Sequence, residues 1–486
     1  MQKEQTNSGS APFFVSGVDL HLEIVGERLG AGLAEALREA VRSGRLRPGT
    51  RLPASRVLAH DLGISRSTVT ECYSELVAEG WFTSRQGSGT SVAFRAGPPN
   101  ATPNAEASPP VRLGSSDGLL PGAPDFAEFP RSQWLAAARR ALNAAPFSAY
   151  GYGDPGGSLT LRRTLADYLA RVRGVRTQPD QIVICSGFHH GLTLVARALA
   201  ARGARAVAVE AYGLDLYRDV LAQAGLSTPL LDVDGSGARV DELAASGADA
   251  VLLTPAHQFP TGVALSPARR IAVREWARTT GGLVLEDDYD GEFRYDRKPV
   301  GALQGLDPER VVYFGTASKS LAPALRVGWM VVPHDLVADV LAAKGAVETV
   351  SVLDQLTFAE FIASGGFDRH LRARRQGYRH RREQLIAALA ERVPHVHAIG
   401  MAAGLQIVLD VPEGTERLAV EAAGKRGLAV SGLSEFRHGP AAGAISPADA
   451  VVVNYSAVSD SAWVAALEAL CEALAELPPS PAAGVL

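Results

Sequence analysis
The sequence predicts an α/β protein of two unlike parts: a small N-terminal winged helix-turn-helix, then a mostly parallel sheet covered by helices, with a smaller C-terminal α+β lobe. Three observations carry this. Short apolar runs alternate with helical stretches through the middle of the chain, a proline-rich seam lies before them, and residues 52–92 carry helix-turn-helix punctuation followed by a glycine-rich hairpin tip.

The bulk properties set bounds. A chain of 486 residues is longer than one core usually holds, so about two or three domains are expected. It is 47% hydrophobic and 21% charged, ordinary for a chain that buries a large core. With a net charge of -4 there is no global case for a nucleic-acid or membrane partner, and any DNA-binding argument must be local. Cys72, Cys185 and Cys471 lack metal-ligand or disulfide spacing, which fits packing roles in a reducing compartment. The first ten residues are polar, and no uncharged run approaches the roughly 18 residues of a membrane span, so a cytoplasmic protein with no membrane partner is expected.

The DNA-binding domain is expected at 18–95. Leu33, Leu37 and Val41 recur at helical spacing, and Gly44 with Pro48-Gly49 stops that helix; three short helices and a hairpin should follow. Ser55–Leu62 reads as a helix ended by Gly63. Ile64 turns inward, and Ser65 caps a second helix that carries Arg66, Ser67, Thr68 and Thr70 near its start. These short or forked donors suit a first turn facing base edges and phosphates, while Val69, Tyr73 and Leu76 face the core. The tip Ser84-Arg85-Gln86-Gly87-Ser88-Gly89-Thr90 reads as the wing. Arg42, Arg45, Arg47, Arg51, Arg56 and Arg66 lie in a stretch with one acid, Asp61, so a neutral chain still offers a basic face. The DNA-contacting candidates are Arg56, Ser65, Arg66, Ser67, Thr68, Thr70, Arg85, Gly87, Gly89 and Thr90. Leu52-Pro53, Ser55-Arg56, Leu62-Gly63, Ser65-Arg66, Thr68-Val69 and Gly87-x-Gly89-Thr90 resemble the GntR class of bacterial regulators; Ala54 departs from it, where serine is common, which puts one phosphate contact in doubt.

Residues 96–112 read as a linker, because 96–110 holds five prolines and no large apolar residue. The large domain is expected at 113–478. Strands are predicted at 181–185, 206–210, 250–254, 282–286 and 311–314, then a long Arg-rich helix from about Gly365 and short strands at 405–411 and 450–455.

The chemistry concentrates at strand ends. Lys319 lies in Gly315-Thr316-Ala317-Ser318-Lys319-Ser320, about thirty residues after Glu286-Asp287-Asp288-Tyr289. A pyridoxal phosphate pocket needs this pairing: an amine to hold the aldehyde as a Schiff base and a carboxylate to keep the pyridine nitrogen protonated. Neighbouring strand residues point to opposite faces, so only one aspartate meets the ring; Asp287 is favoured, with Tyr289 on its face as a hydrogen-bond donor to the ring oxygen. Ser186-Gly187-Phe188 follows a strand and opens a helix, a place for a phosphate on backbone N–H groups. Thr316 and Ser318 supply hydroxyls and Arg326 a guanidinium. Tyr150-Gly-Tyr-Gly-Asp-Pro-Gly-Gly reads as a tight turn before a helix.

Residues 122–470 resemble fold-type I aminotransferases, through Thr254-Pro-Ala-His-Gln-Phe-Pro-Thr-Gly262, Glu286-Asp-Asp-Tyr-Asp-Gly-Glu-Phe-Arg-Tyr295 and Ser318-Lys-Ser-Leu-Ala-Pro-Ala-Leu-Arg326. Joined to a GntR-type head, the chain resembles the MocR subfamily. The resemblance implies a transcription factor that holds pyridoxal 5'-phosphate on Lys319, binds a double-stranded operator and forms a head-to-tail homodimer. Its effector would be the cofactor itself or an amine. Three departures bear on this. Phe259 stands where aminotransferases place an asparagine against the ring oxygen, leaving that task to His257 or Gln258; Tyr212 is the ring-stacking candidate only if its loop shifts; and Val452 stands near where an arginine would pair a substrate carboxylate. Without that clamp an amino acid is held loosely and turnover is disfavoured. The rival reading is a working aminotransferase with an accessory DNA-binding head. The helix at 372–382 is left open between a second DNA contact and a solvated or dimer-facing surface.

Overall fold
The computed structural model describes residues 29–43, 45–85, 89–93, 118–122, 124–295, 301–439 and 449–478. The chain divides into two compact units, 1–110 and 111–486.

In the first unit, Leu29–Arg42 forms a helix whose Leu33, Ala34, Leu37 and Ala40 are buried. Two helices follow among the described residues, Ser55–Leu62 and Arg66–Ala78, rather than the three expected. The segment between the first helix and Ser55 forms turns and a single bridge, Arg51 with Ser91, because Pro48-Gly49 and Pro53 leave no room for helical hydrogen bonds. Gly63 takes a left-handed φ of 65°, which lets its N–H reach back to the first of these helices and turn the chain into the second. Val69, Cys72, Tyr73 and Leu76 join Leu33, Leu37, Leu58, Phe82 and Val92 in one apolar core. The strands Phe82–Arg85 and Gly89–Val92 pair antiparallel as the hairpin.

The second unit is built on a seven-stranded sheet, in the order Ile182–Cys185, Gly328–Val331, Val311–Thr316, Leu283–Asp287, Ala250–Leu253, Val207–Glu210, Leu230–Leu231. The five apolar runs read from the sequence are all there. The strand Gly328–Val331 has no counterpart among those runs; it runs antiparallel to both neighbours, so it returns the chain from Lys319 next to the edge strand Ile182–Cys185. Side chains alternate as a two-sided sheet demands. Val183, Cys185, Val207, Val209, Phe314 and Met330 pack under the helix Phe188–Ala201, while Ile182, Ile184, Tyr313, Trp329 and Val331 enter the opposite core.

The helix Gly366–Arg392 leads to a four-stranded antiparallel lobe ordered His397–Ile399, Ile407–Asp410, Ala450–Val453, Ser431–Gly432. Its arginines are largely spent inside this unit: Arg374 pairs with Glu128 at 2.6 Å, Arg379 with Glu383 at 3.1 Å, Arg375 donates to Glu292 O, and buried Arg381 donates to Tyr455 O and Val458 O. Arg372 remains exposed. Cys72, Cys185 and Cys471 are buried free thiols. No helix among the described residues is long and apolar enough to cross a membrane.

Candidate cofactor pocket and DNA-binding helix
The strands of the large sheet end together at Cys185, Glu210, Leu253, Asp287 and Thr316, and the crevice outside those carboxyl ends is where an open α/β sheet binds ligands. Gly187 caps the helix Phe188–Ala201 with φ 103°, which turns the first N–H groups of that helix outward. The Phe188 ring packs away into the core, edge-on to Phe314 and Tyr217, so Phe188 presents its backbone rather than its side chain. Arg326 sits in the left-handed region at φ 51°, and its guanidinium nitrogens lie 3.8 Å from where a Cβ on Gly187 would stand. Gly328 makes this approach possible, since any Cβ there would meet Gly187 Cα at 2.8 Å. Among the described residues no carboxylate pairs with Arg326. Thr316 Oγ1 lies 2.9 Å from Ser318 Oγ and accepts the Ser318 N–H at 3.1 Å. A helix N-terminus, an unpaired guanidinium and two hydroxyls form a cup of the kind that takes a dianionic phosphate.

The adjoining aspartates part company. Asp288 turns to Arg173, whose Nε and Nη2 donate to its two oxygens at 2.7 and 2.8 Å, and the Tyr313 hydroxyl donates to it at 2.7 Å. Asp287 is buried yet has no hydrogen-bond partner among the described residues. Burial, then the neighbouring Asp288 charge, pushes its carboxyl well above the usual range, and Lys319 opposes them. Lys319 is half-buried and its Nζ donates to Gly122 O. Burial lowers its pKa, against Asp287 and Asp290, which enlarges the fraction of neutral amine able to attack a carbonyl. An orphaned buried carboxylate, a depressed lysine and a phosphate cup are the donor set that pyridoxal phosphate requires, and these residues fit it.

Tyr289 is buried, with its hydroxyl 3.1 Å from His257 Nδ1 and its ring 6.0 Å from Phe259. Of the two stand-ins for the missing asparagine, Gln258 is consumed internally: its amide donates to Tyr212 O at 2.9 Å and Phe259 O at 2.6 Å, and its oxygen accepts from Thr261. Tyr212 belongs to a cluster with Val408, Leu433 and Val452, and Arg437 lies 5.8 Å over its ring, so the small lobe already covers it. Besides Tyr289, Tyr217, seven residues after Glu210, lies within the field of Asp287, and its hydroxyl is pushed up by burial and then by Asp287. Val452 is fully buried between Val408 and Ser431, so the strand offers no cation there.

Sequence reading also missed Glu210. It ends the strand Val207–Glu210 and accepts from the Thr254 N–H at 3.0 Å and the Thr254 hydroxyl at 2.5 Å. Burial raises its pKa to about 7, with these hydrogen bonds opposing. A carboxyl raised in the fold above its ordinary 4.5 binds its proton more tightly folded than unfolded. Its contribution is therefore complete below pH 4.5 and is lost as pH rises toward 7. Glu210→Gln is expected to flatten that part of the stability–pH curve, measured by urea titrations between pH 5 and about 8.

In the first unit, Ser65 caps the helix Arg66–Ala78 by accepting the Thr68 N–H at 3.1 Å, and its hydroxyl lies 2.7 Å from that of Ser67. Thr70 donates back to Arg66 O at 2.8 Å, and Thr68 is half-buried. Arg56, Arg66 and Ser67 are exposed on the two helices, and Arg56 and Arg66 have no ion pair among the described residues. Arg42 does not belong to a free basic face, because it pairs with Glu35 at 2.7 Å and lies 5.4 Å over the Trp81 ring. Ala54 stands at the N-cap of Ser55–Leu62 and offers no side-chain cap. Gly89 takes φ 83° beside the Arg51 side chain, and Thr90 O accepts the Leu52 N–H. Arg85 lies on the hairpin strand, and Gly87 falls outside the described residues.

Comparison with known proteins agrees with both halves. Residues 119–450 match the aminotransferase class I and II family, and residues 29–92 match the gntR family of bacterial regulatory proteins. The chain is 32% identical over 451 residues to the probable rhizopine catabolism regulatory protein MocR of Rhizobium meliloti, covering 88% of this chain and 90% of that one. It is 32% identical over 423 residues to the pyridoxine biosynthesis transcriptional regulator PdxR of Corynebacterium glutamicum, covering 84% and 89%. The chain belongs to the MocR subfamily of GntR-type regulators. The large unit of this MocR-type chain is also similar to a solved kynurenine aminotransferase from Pyrococcus horikoshii, with TM-score 0.65 and 26% identity over 74% of this chain and 92% of that one. A GntR head makes the MocR-type protein a DNA-binding regulator, and its fold-type I domain implies pyridoxal 5'-phosphate as cofactor.

Proposed function
We propose that this protein is a transcriptional regulator that holds pyridoxal 5'-phosphate through the Lys319 amine and responds to the cofactor or to an amine effector. The reading rests chiefly on Asp287, a buried carboxylate without a hydrogen-bond partner among the described residues, beside a lysine of lowered pKa. Asp287 would pair the ring nitrogen, Tyr289 the ring oxygen, and Gly187, Phe188 N–H, Thr316, Ser318 and Arg326 the phosphate. Bound there, the cofactor supplies an electrophilic carbon for primary amines. An amine that takes the place of Lys319 frees its amino group among Asp287 and Asp290, a change of charge inside a dry pocket. The buried Val452, where aminotransferases carry a carboxylate-pairing arginine, favours sensing over turnover.

The DNA contacts would come from Arg56, Arg66 and Ser67, aided by Ser65, Thr68, Thr70 and the wing residues Arg85, Gly87, Gly89 and Thr90. The boundaries 18–95, 96–112 and 113–478 are part of the proposal, as is a head-to-tail homodimer in the cytoplasm. Its interface would use the exposed side chains of Phe147, Tyr150, Tyr152, Val347 and Leu353. The test is a duplex-binding titration with and without cofactor and amines, run beside an assay with an amino donor and a keto acid. A response of DNA affinity to ligand without steady product supports sensing, and product formation at enzyme-like rates supports the rival aminotransferase. Arg66→Ala is expected to weaken operator binding by about 1 to 3 kcal/mol while the cofactor stays bound; unchanged affinity would remove this helix from the interface.

A further inference from the structure
His257 and Asp290 form a closed pair next to the pocket. His257 Nδ1 lies 2.7 Å from Asp290 Oδ2 and 3.1 Å from the Tyr289 hydroxyl, and the two side chains are 3% and 2% exposed. At 2.7 Å the imidazole N–H donates to the carboxylate, which fixes the tautomer and the plane of the ring. Gly404 of the small lobe closes over the pair at φ 75°. A Cβ there would come within 2.4 Å of His257 Cε1 and 2.6 Å of Asp290 Oδ2, so no larger residue fits. Gly404 is itself held, its N–H by Phe293 O at 2.7 Å and its carbonyl by the Tyr455 hydroxyl at 2.7 Å. Neither His257 nor Asp290 has a task in the cofactor contacts proposed above, yet both are kept dry against Tyr289.

We infer that His257 and Asp290 are a positioning pair: they hold the Tyr289 phenol in place and decide where its proton lies, at a ring oxygen that Phe259, standing where an asparagine would contact it, cannot hydrogen-bond. The imidazole N–H is committed to Asp290, so Tyr289 cannot donate to Nδ1, and the phenol proton is left for Asp290 or for the ring oxygen. The pair thereby couples the electronics of a bound cofactor to a carboxylate that never touches it. Other charges facing Tyr289 are Asp287 on the same segment and Glu210 at the end of a neighbouring strand; Lys319 in turn faces Asp287 and Asp290. The inference rests on the cofactor reading.

Its test is the pH dependence of the visible absorption of the full-length protein loaded with pyridoxal phosphate. His257→Gln and Asp290→Asn are each expected to move the midpoint by about one unit, a tenfold change in proton affinity, with colour retained. His257→Asn, whose amide nitrogen replaces Nδ1, should restore most of the wild-type midpoint. In a Tyr289→Phe background neither substitution should move it further, because the pair acts through that hydroxyl. Unchanged midpoints in coloured variants, or shifts that add in full to that of Tyr289→Phe, overturn the positioning role. Should His257→Gln fail to fold, Asp290→Asn carries the same comparison. A wild-type protein that takes up no colour overturns the cofactor reading instead.

Discussion

Lys319→Ala is expected to abolish the visible absorption of bound cofactor while leaving the large unit folded. The effect would be all or nothing because the proposed attachment is one covalent bond from one amine, and among the described residues no second lysine is placed to make it. Among the described residues Lys344 is also buried, but its Nζ is fixed to Ile184 O at 2.7 Å and to Glu348 at 2.9 Å, with Pro155 O as a further acceptor. It is spent tying a glycine-rich turn to a strand end. Removing Lys319 takes away one half-buried side chain whose one hydrogen bond among the described residues is to Gly122 O, so the unfolding free energy from urea titration should stay within about 0.5 kcal/mol of wild type. Operator binding should persist and its response to ligand should vanish. A variant that stays yellow after removal of free cofactor would place the attachment elsewhere.

Arg173→Ala destabilises the large unit by about 3 to 5 kcal/mol, the usual cost of stranding one half of a buried ion pair. Arg173 and Asp288 have side chains 4% and 1% exposed and meet through two hydrogen bonds. The substitution leaves the Asp288 charge with the Tyr313 hydroxyl alone. The loss should read out twice: as a lower urea midpoint, and as weaker cofactor uptake. Asp288 and Asp287 share a strand end, and pinning the first to Arg173 is what leaves the second facing Lys319. The paired change Arg173→Met with Asp288→Leu should recover most of the stability, because an apolar pair carries no desolvation cost. A single variant as stable as wild type would show that the pair contributes nothing beyond packing.

Much of this was legible from local pattern. Strand runs, the Ser65 cap, the Gly63 turn and the core positions Val69, Tyr73 and Leu76 depend on spacing and backbone preference, which a sequence records directly. The choice between Asp287 and Asp288 was also legible in principle, since alternation demands that they diverge. The strand Gly328–Val331 was harder: its reversed direction has no mark in composition, and only the crowding of Gly328 against Gly187 makes it intelligible afterwards. The fate of individual hydroxyls and cations was not legible at all. Thr70 bonds its own helix, Arg42 is taken by Glu35 and Trp81, and the arginines of Gly366–Arg392 mostly find partners within the large unit.

The sequence alone determined the two-part organisation, the strand and helix order, and which residues carry reactive groups, because each follows from periodicity, turn chemistry and side-chain type over a few neighbouring positions. Tertiary structure alone decided which groups are left without a charged partner among the described residues: Arg326 but not Arg173, Lys319, which meets only Gly122 O, but not Lys344, and Asp287, which has no hydrogen bond, but not Asp288. Partnership is a long-range property. It depends on which strands lie side by side and which small-lobe glycine closes over them, and those contacts join residues more than a hundred positions apart.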